Sequence, residues 1–413
     1  MSFIDPAQGD KLLGAFRVVA GIKDVPVIIH SPVGCHWGVN YIETLSSISP
    51  DAAISVIKER DVIFGGKDNL RKILDIVLKK RKSSHNIIVL IGSVPSLIGD
   101  DYQGILNDYK KECRIITIEC AGFLGKMAVG YEEALASLFE WVENPNGTKA
   151  TRSVNLIGLE PDVIHYRANL TEVKRIFGLI GVKINSSVPC RDLTEIKRMA
   201  NADLNVVLGY GTLLAKKMEE SFGIPYIKAN YPIGITGTQN FLQQISSHLE
   251  LNRQSLKKIV EKETENIKRI CKSYEAFLPA LYGAPAAVSA DSYRALALSK
   301  WLTEEIGMDV KAINITSISR FNDNLEDIKK YSKTVLLEES WHRFEQILRE
   351  EKVAIVFGGD MEIDICKKLN IPLVHFSFPN TRRAGLSDTP NLGFKGMLSL
   401  VESLVNKVLF DDV

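Results

Sequence analysis

Cys35 is the residue whose type and setting most favour chemistry. It lies in Ser31-Pro32-Val33-Gly34-Cys35-His36-Trp37-Gly38, a stretch punctuated by Pro and Gly that follows the apolar run 25–29. A short apolar run stopped by Pro and Gly reads as a buried strand reaching the carboxyl edge of a sheet, where open α/β sheets place their ligands. The spacing therefore predicts a turn over 31–38 that presents a thiol at a sheet edge. The competing reading is a packing residue beside Gly34, because free cysteines are commonly buried. Cys120, in Cys120-Ala121-Gly122, also follows a strand-like run and is the second candidate. Cys190 falls at a predicted strand-to-helix turn in Val188-Pro189-Cys190-Arg191-Asp192, and its role stays open on the residues alone. Cys113, Cys271 and Cys366 lie within or beside regular patterns and read as core. The six cysteines form no CxxC pair, so in a reducing compartment they are free thiols or cluster ligands rather than disulfides. The seven histidines show no HExxH or similar spacing; His36 and His375, at predicted strand ends, are the two with a functional setting.

Nucleotide chemistry has weaker support. The sequence contains no GxxxxGK[ST], so ATP is expected to bind weakly or not at all. Gly65-Gly66-Lys67 and Gly358-Gly359-Asp360 each follow a strand-like run and open a possible helix whose amino terminus could hold an anion. A tight strand-to-helix turn is the favoured reading of both. Gly209-Tyr210-Gly211-Thr212 is shorter than a GxGxxG fingerprint, and close backbone approach suffices to explain its glycines.

The elements that must position these residues follow an alternating pattern. Apolar runs at 25–29, 86–91 and 114–118 alternate with helical patterns at 67–82 and 131–141, which is the signature of βαβ units and a parallel sheet. Residues 143–148 (ENPNGT) form a turn-rich break. A second series runs through strands at 154–158, 182–184 and 204–208 with helices near 170–179, from 193 and from 212. Residues 250–277 keep helical spacing without Gly or Pro and are expected to cross between domains. A third series places strands at 286–288, 310–313, 334–337, 353–357 and 372–376, with helices at 294–306, at 325–331 and from 341. The expected domains are 1–152, carrying the Cys35 turn, 153–283, with the crossing helix, and 284–390, followed by a helix in 391–413 that packs back.

At 413 residues the chain is long enough for two to three such domains. Its 45% hydrophobic and 24% charged content is that of an ordinary globular protein. Lys plus Arg (51) exceeds Asp plus Glu (50) by one, so charge implies neither nucleic acid nor a membrane surface as partner. The start, Met1-Ser2-Phe3-Ile4-Asp5-Pro6, lacks a basic region followed by an apolar stretch, and no membrane-length apolar window occurs. A cytoplasmic location is expected.

Ser31-Pro32-Val33-Gly34-Cys35, then Asp61-Val62-Ile63-Phe64-Gly65-Gly66-Lys67-Asp68-Asn69-Leu70, Leu97-Ile98-Gly99-Asp100-Asp101, and Cys120-Ala121-Gly122-Phe123-Leu124-Gly125 with Gly130-Tyr131 follow one another in an order and spacing that resemble the nitrogenase component 1 superfamily. In the second half Phe222-Gly223-Ile224-Pro225-Tyr226, Pro232-Ile233-Gly234, Phe241-Leu242, Ile371-Pro372-Leu373, Phe378-Pro379, Arg382-Arg383 and Gly393-Phe394-Lys395-Gly396 resemble the family's β-type chains. The family comprises nitrogenase proper, its cofactor-assembly scaffolds and the dark-operative tetrapyrrole reductases. The resemblance implies an α/β fold of three Rossmann-like domains with parallel sheets flanked by helices, an iron–sulfur cluster at a subunit interface, and a separate ATP-dependent iron protein as electron donor.

Departures from the family pattern narrow what it implies. In the family's α-type chains three cysteines hold the interface cluster. Here the early position falls near Gly9 and Asp10, the third falls at Ser93 in Gly92-Ser93-Val94-Pro95-Ser96, and Cys35 alone remains. The position that anchors the active-site metallocluster is Gly209, so no anchored FeMo-type cofactor is expected. The implied cofactor-binding set is Gly34, Cys35 and Ser93, with Cys35 as metal ligand and Cys120 behind it. An iron–sulfur cluster takes four ligands, usually thiolates, so one cysteine implies a cluster, [4Fe–4S] in the family, shared with an α-type chain or with a second copy of this one. Two functions follow: a β-type subunit of a nitrogenase-like reductase that relays electrons to a substrate or cofactor in the inter-domain cleft, or a scaffold that carries a metallocluster precursor or tetrapyrrole without turnover. A cluster-free relative is the third possibility.

Overall fold

The structure, a computed structural model, describes residues 9–45, 48, 50–80, 86–145, 151–321 and 324–410. The amino-terminal stretch 1–6 and residues 146–148 of the expected break lie outside the described residues. Among the described residues there are three sheets, and every strand pairing in them is parallel.

The first sheet contains β1 (Val27–His30), β2 (Ala52–Ile54), β3 (Asn86–Ile91) and β4 (Arg114–Glu119) in the order β2-β1-β3-β4. Its helices are α1 (Lys11–Val19), α2 (Val33–Leu45), α3 (Glu59–Phe64), α4 (Lys67–Lys80), α5 (Ser93–Ile98), α6 (Tyr102–Tyr109) and α7 (Met127–Ser137). Ile87 to Ile91 are all buried, because helices cover both faces of a parallel sheet and its strands read as unbroken apolar runs. α4 buries Leu70, Leu74 and Val77, one stripe of an amphipathic helix.

The second sheet has the order β6-β5-β7-β8, from β5 (Ser153–Ile157), β6 (Lys183–Val188), β7 (Leu204–Leu208) and β8 (Tyr226–Ala229). With it come α8 (Tyr166–Leu179), α9 (Leu193–Lys197), α10 (Thr212–Phe222), α11 (Gly234–His248) and α12 (Arg253–Lys272). The third sheet, β11-β10-β9-β12-β13, is built from β9 (Pro285–Asp291), β10 (Asp309–Ser317), β11 (Val335–Leu337), β12 (Ile355–Gly358) and β13 (Leu373–His375). Its helices are α13 (Ser292–Trp301), α14 (Leu325–Ile328), α15 (Trp341–Glu350) and α16 (Ile363–Leu369), and the terminal α17 (Gly393–Leu409) packs on α8, α11 and α12. In each sheet the first strand in sequence lies inside, with later strands added on both of its sides. That arrangement makes β1, β5 and β9 the switch strands, whose carboxyl ends open a crevice.

The structure departs from the sequence expectations in three places. The turn expected over 31–38 is helical from Val33, which puts Cys35 in the first turn of α2 with its N–H donating to Pro32 O at 3.2 Å. Pro just ahead of a helix, and Gly in its first turn, do not break it, since Pro's fixed φ suits a helix start. The run before Gly65 is the helix α3 rather than a strand, and Gly65 ends it at φ +89°. The long helix stops at Lys272, and a 3₁₀ turn at Leu278–Leu281 follows before β9.

α1 and α7 touch backbone to backbone. A Cβ added at Gly14 would lie 1.9 Å from Met127 O, and one at Gly130 would lie 1.9 Å from Lys11 O. Gly130→Ala is therefore expected to force these helices apart and to cost at least about 1–3 kcal/mol, the usual range for overpacking. A lower urea midpoint at unchanged m-value checks this, and an unchanged midpoint would mean the helices do not pack this closely.

Candidate functional site

The carboxyl edge of the first sheet gathers the residues singled out by the sequence. Cys35 follows β1, Ser93 follows β3, and the Cys120-Ala121-Gly122 loop follows β4. Gly92 must be glycine: its N–H donates to His30 O at 3.0 Å, and a Cβ there would meet Ser31 Oγ at 2.4 Å. Ser93 Oγ accepts from Gly122 N–H at 2.9 Å, tying the β3 and β4 loops together. Asp10, which caps α1 by accepting from Leu13 N–H at 3.0 Å, lies against the same Gly122. Thus Ser93 and Asp10, at two positions where α-type chains are implied to carry cysteines, converge at Gly122, and both are engaged in hydrogen bonds. Around Gly34 an added Cβ would meet nothing within 4 Å, so the chain leaves this side of the turn open.

Cys35 is half-buried, and the edge around it is apolar and exposed. Val33, Trp37, Leu97, Phe123 and Leu124 project from the loops and helices following β1, β3 and β4, with Ile63 and Phe64 from the adjoining α3; Trp37 is 67% exposed and Phe64 75%. Exposed apolar side chains gathered at one sheet edge suit an association surface.

The other thiols are placed differently. Cys120 is fully buried, its Sγ donates to Ile118 O at 3.4 Å, and burial pushes its pKa well above the ordinary thiol range. Cys190 is buried, donates to Asp192 O at 3.2 Å and is likewise pushed up by burial, while lining a cavity of the second sheet. Cys113 and Cys366 are core residues, the latter pushed up to about 12 by burial; Cys271 is half-buried on α12. His36 and His375 both have their pKa lowered by burial; His375 Nδ1 lies 3.7 Å from Asp360 Oδ1, and among the described residues neither histidine belongs to a group of three ligand-type side chains. Among the described residues no three His, Cys, Asp or Glu side chains are grouped so as to hold a metal ion.

A buried relay of polar groups beneath this edge was not legible in the sequence. His30 Nδ1 lies 2.7 Å from Ser55 Oγ and its Nε2 lies 3.0 Å from Asp100 Oδ2, which also accepts from Gly66 N–H at 3.0 Å. Burial lowers the His30 pKa against the opposing pull of Asp100. The group joins the ends of β1 and β2 to the loops that carry Gly65-Gly66 and Leu97 to Asp101. The one sequence signal was a histidine ending an otherwise apolar strand.

The crevice between the three sheets is filled by charge. Arg17 of α1 donates to Asp162 at 2.5 Å and to Glu160 at 2.7 Å, and Arg294 of α13 binds Glu160 and Asp291, the latter at 2.6 Å. Burial opposes charge on both guanidiniums, but Asp162, Glu160 and Asp291 outweigh it and raise their pKa values further. Arg17 stacks 3.7 Å from the Phe378 ring and Arg294 4.7 Å from the Tyr231 ring. Gly209 sits at φ +81°, and a Cβ there would come within 3.3 Å of Tyr293 and 3.4 Å of Tyr231 Oη. The space left between Glu160, Tyr231 and Arg294 is about 10 Å³, room for roughly one water.

A profile of the nitrogenase component 1 type oxidoreductase family matches residues 11–409. The chain belongs to this family. Among its relatives, the nitrogenase molybdenum-iron protein alpha chain of Methanothermobacter marburgensis is 27% identical, covering 96% of this chain and 86% of that one. One of the subunits of light-independent protochlorophyllide reductase from Chaetosphaeridium globosum is 24% identical over 96% of this chain and 82% of its own. The nitrogenase iron-molybdenum cofactor biosynthesis protein NifE of Clostridium pasteurianum is 26% identical over 97% and 88%. The structure of nitrogenase Cp1 at pH 6.5 superposes with a TM-score of 0.84 at 20% identity, covering 99% of this chain and 94% of that chain. The fold is thus that of a nitrogenase component 1 chain, with parallel sheets flanked by helices. No helix among the described residues is long and apolar enough to cross a membrane.

Proposed function

We propose that this nitrogenase component 1 type chain is a β-type subunit that lends one thiolate, Cys35, to an iron–sulfur cluster shared with an α-type chain or a second copy of itself. The observation that carries this reading is the placement of Cys35: a half-buried thiol in the first turn of α2, on an open apolar edge, in no group of three or more metal-ligand side chains among the described residues. The donor chemistry suits a cluster, which is usually held by four thiolates, and the deficit of three requires a partner.

In the assembled complex the cluster supplies a one-electron relay. The chain's own residues do the rest. The first turn of α2 sets Cys35 where the positive end of the helix dipole favours a negatively charged sulfur. Trp37, Phe123 and Leu124 exclude water when the edge is covered, and Ser93 holds the Gly122 loop in place beside it. Electrons arrive from a separate ATP-dependent iron protein, consistent with the absence of a GxxxxGK[ST] loop from this sequence.

Its relatives include a cofactor biosynthesis protein, and the lack of a ligand at Gly209 favours a carrier as the second reading: a scaffold that holds a metallocluster precursor or tetrapyrrole without turnover. The complex prepared anaerobically with its partner separates the two. Reductant consumption with the donor protein and Mg-ATP is expected for the reductase; transfer of a bound cofactor to an acceptor without such consumption identifies the carrier. A monodisperse monomer that keeps a cluster at low micromolar concentration would overturn the shared-cluster reading.

A further inference from the structure

We infer that a cavity of about 600 Å³ between the carboxyl edge of the second sheet and the loop 380–388 binds an organic polyanion, a molecule with an apolar body that carries two or more carboxylate or phosphate groups. The site is separate from the Cys35 edge and does not depend on a cluster.

The rim of the cavity is cationic. Arg167, Lys174 and Arg383 line it from α8 and the 380–388 loop, and among the described residues none of them has an acidic partner. The acids beside them are engaged or outlying. Asp162 is bound by Arg17, Glu195 accepts the Ser187 N–H at 2.8 Å, and Asp388 is exposed on the loop. Arg191 and Arg198 add positive charge on the opposite wall. The amino-terminal turn of the 14-residue α8 also faces the cavity, adding the partial positive charge of its peptide N–H groups. Arg167, Lys174 and Arg383, without acidic partners at the rim of a concavity, raise the local concentration of anions.

The floor supplies the second observation. Asn380 is 5% exposed, and neither its amide oxygen nor its nitrogen completes a hydrogen bond, although it lies beside His375. Ser187, 4% exposed, approaches the Tyr166 phenol without completing a hydrogen bond through its Oγ. Buried polar groups are normally satisfied, so groups left open at a cavity floor point to a ligand that satisfies them. Ile164, Ile184 and Leu386 form the remaining wall, which inorganic phosphate has no means of using and an organic body does. A volume of about 600 Å³ is within the ordinary range for small-molecule sites. Arginine pairs match both carboxylate and phosphate, so the two sources of negative charge are separated by experiment.

The test is calorimetry of the full-length chain with mellitate, an aromatic polycarboxylate, with 1-naphthyl phosphate, and with inorganic phosphate as a charge-only control. Saturable binding of mellitate or of naphthyl phosphate is expected, and the tighter of the two names the anion class. Each of Arg167→Gln and Arg383→Gln should weaken it at least about tenfold, as expected for losing one charged hydrogen bond. Asn380→Leu, which removes the floor amide at similar size, should weaken it as well. Both arginines are exposed, so thermal melts of their variants should match the wild type. The inference is overturned if neither organic anion binds, if inorganic phosphate binds as tightly as both, or if both arginine variants bind like the wild type. Because this readout is independent of iron, its failure leaves the Cys35 reading standing.

Discussion

Cys35→Ala is expected to strip iron and sulfide from the anaerobically purified complex and to abolish the cluster's paramagnetic signal, while far-UV circular dichroism stays that of the wild type. The size of the effect separates the two readings of this residue. A half-buried packing cysteine loses one small group on replacement, which costs on the order of 1 kcal/mol and leaves iron content alone. A ligand cannot be replaced by a methyl group, so the loss falls on the metal. Cys120→Ala is the matched control. Cys120 is fully buried and burial holds it as a neutral thiol, so its replacement should lower stability through a small cavity and keep the iron. Iron retained in Cys35→Ala and lost in Cys120→Ala would overturn the assignment.

The second large effect is expected at the junction of the three sheets. Arg17→Met keeps the length and apolar stem of the side chain but leaves Asp162 without its counter-charge and Glu160 with Arg294 alone, both acids being about 2% exposed. Breaking a buried ion pair from one side costs about 3–5 kcal/mol, because the remaining charge is stranded in a medium that solvates it poorly. A fall of that size in unfolding free energy, read from urea denaturation, is expected for Arg17→Met. Arg17→Lys retains a charge but loses the two-pronged geometry and the stacking on Phe378, and should fall between. Combining Arg17→Met with Asp162→Asn and Glu160→Gln removes the stranded charges and should recover part of the loss. A wild-type midpoint for Arg17→Met would mean that the network contributes no net stability. The same packing surrounds Gly209: Tyr231 and Tyr293 lie against it, and five charged side chains are locked in the crevice, where the space left between Glu160, Tyr231 and Arg294 is about 10 Å³.

The alternation of apolar runs with helical patterns determined the class of fold, because a strand covered on both faces must be continuously apolar and its neighbours must return through helices. Residues 86–91 were legible to the residue for this reason. The strands β2 and β8, of three and four residues, were not: β2 is only partly buried, and the exposed Lys228 interrupts β8, so neither carries a buried apolar run. α2 was missed because Pro32 and Gly34 read as breakers, although they stand where a helix tolerates them. Cys35 was identifiable from its local setting, since a thiol after a buried strand and beside Gly is a property of neighbouring residues. Its difference from Cys120 was not: both follow strands and lie next to small residues, and only the packing of α1 and α7 over the β4 loop buries one and leaves the other at an open edge. The convergence of Asp10, Ser93 and Gly122, the His30, Ser55 and Asp100 relay, and the joining of Arg17 to residues 143 and 145 positions away were likewise decided by tertiary structure. A sequence pattern reports which residues share a face of one element. Which charge meets which across three sheets depends on how those faces are brought together, and that free energy resides in contacts that have no local signature.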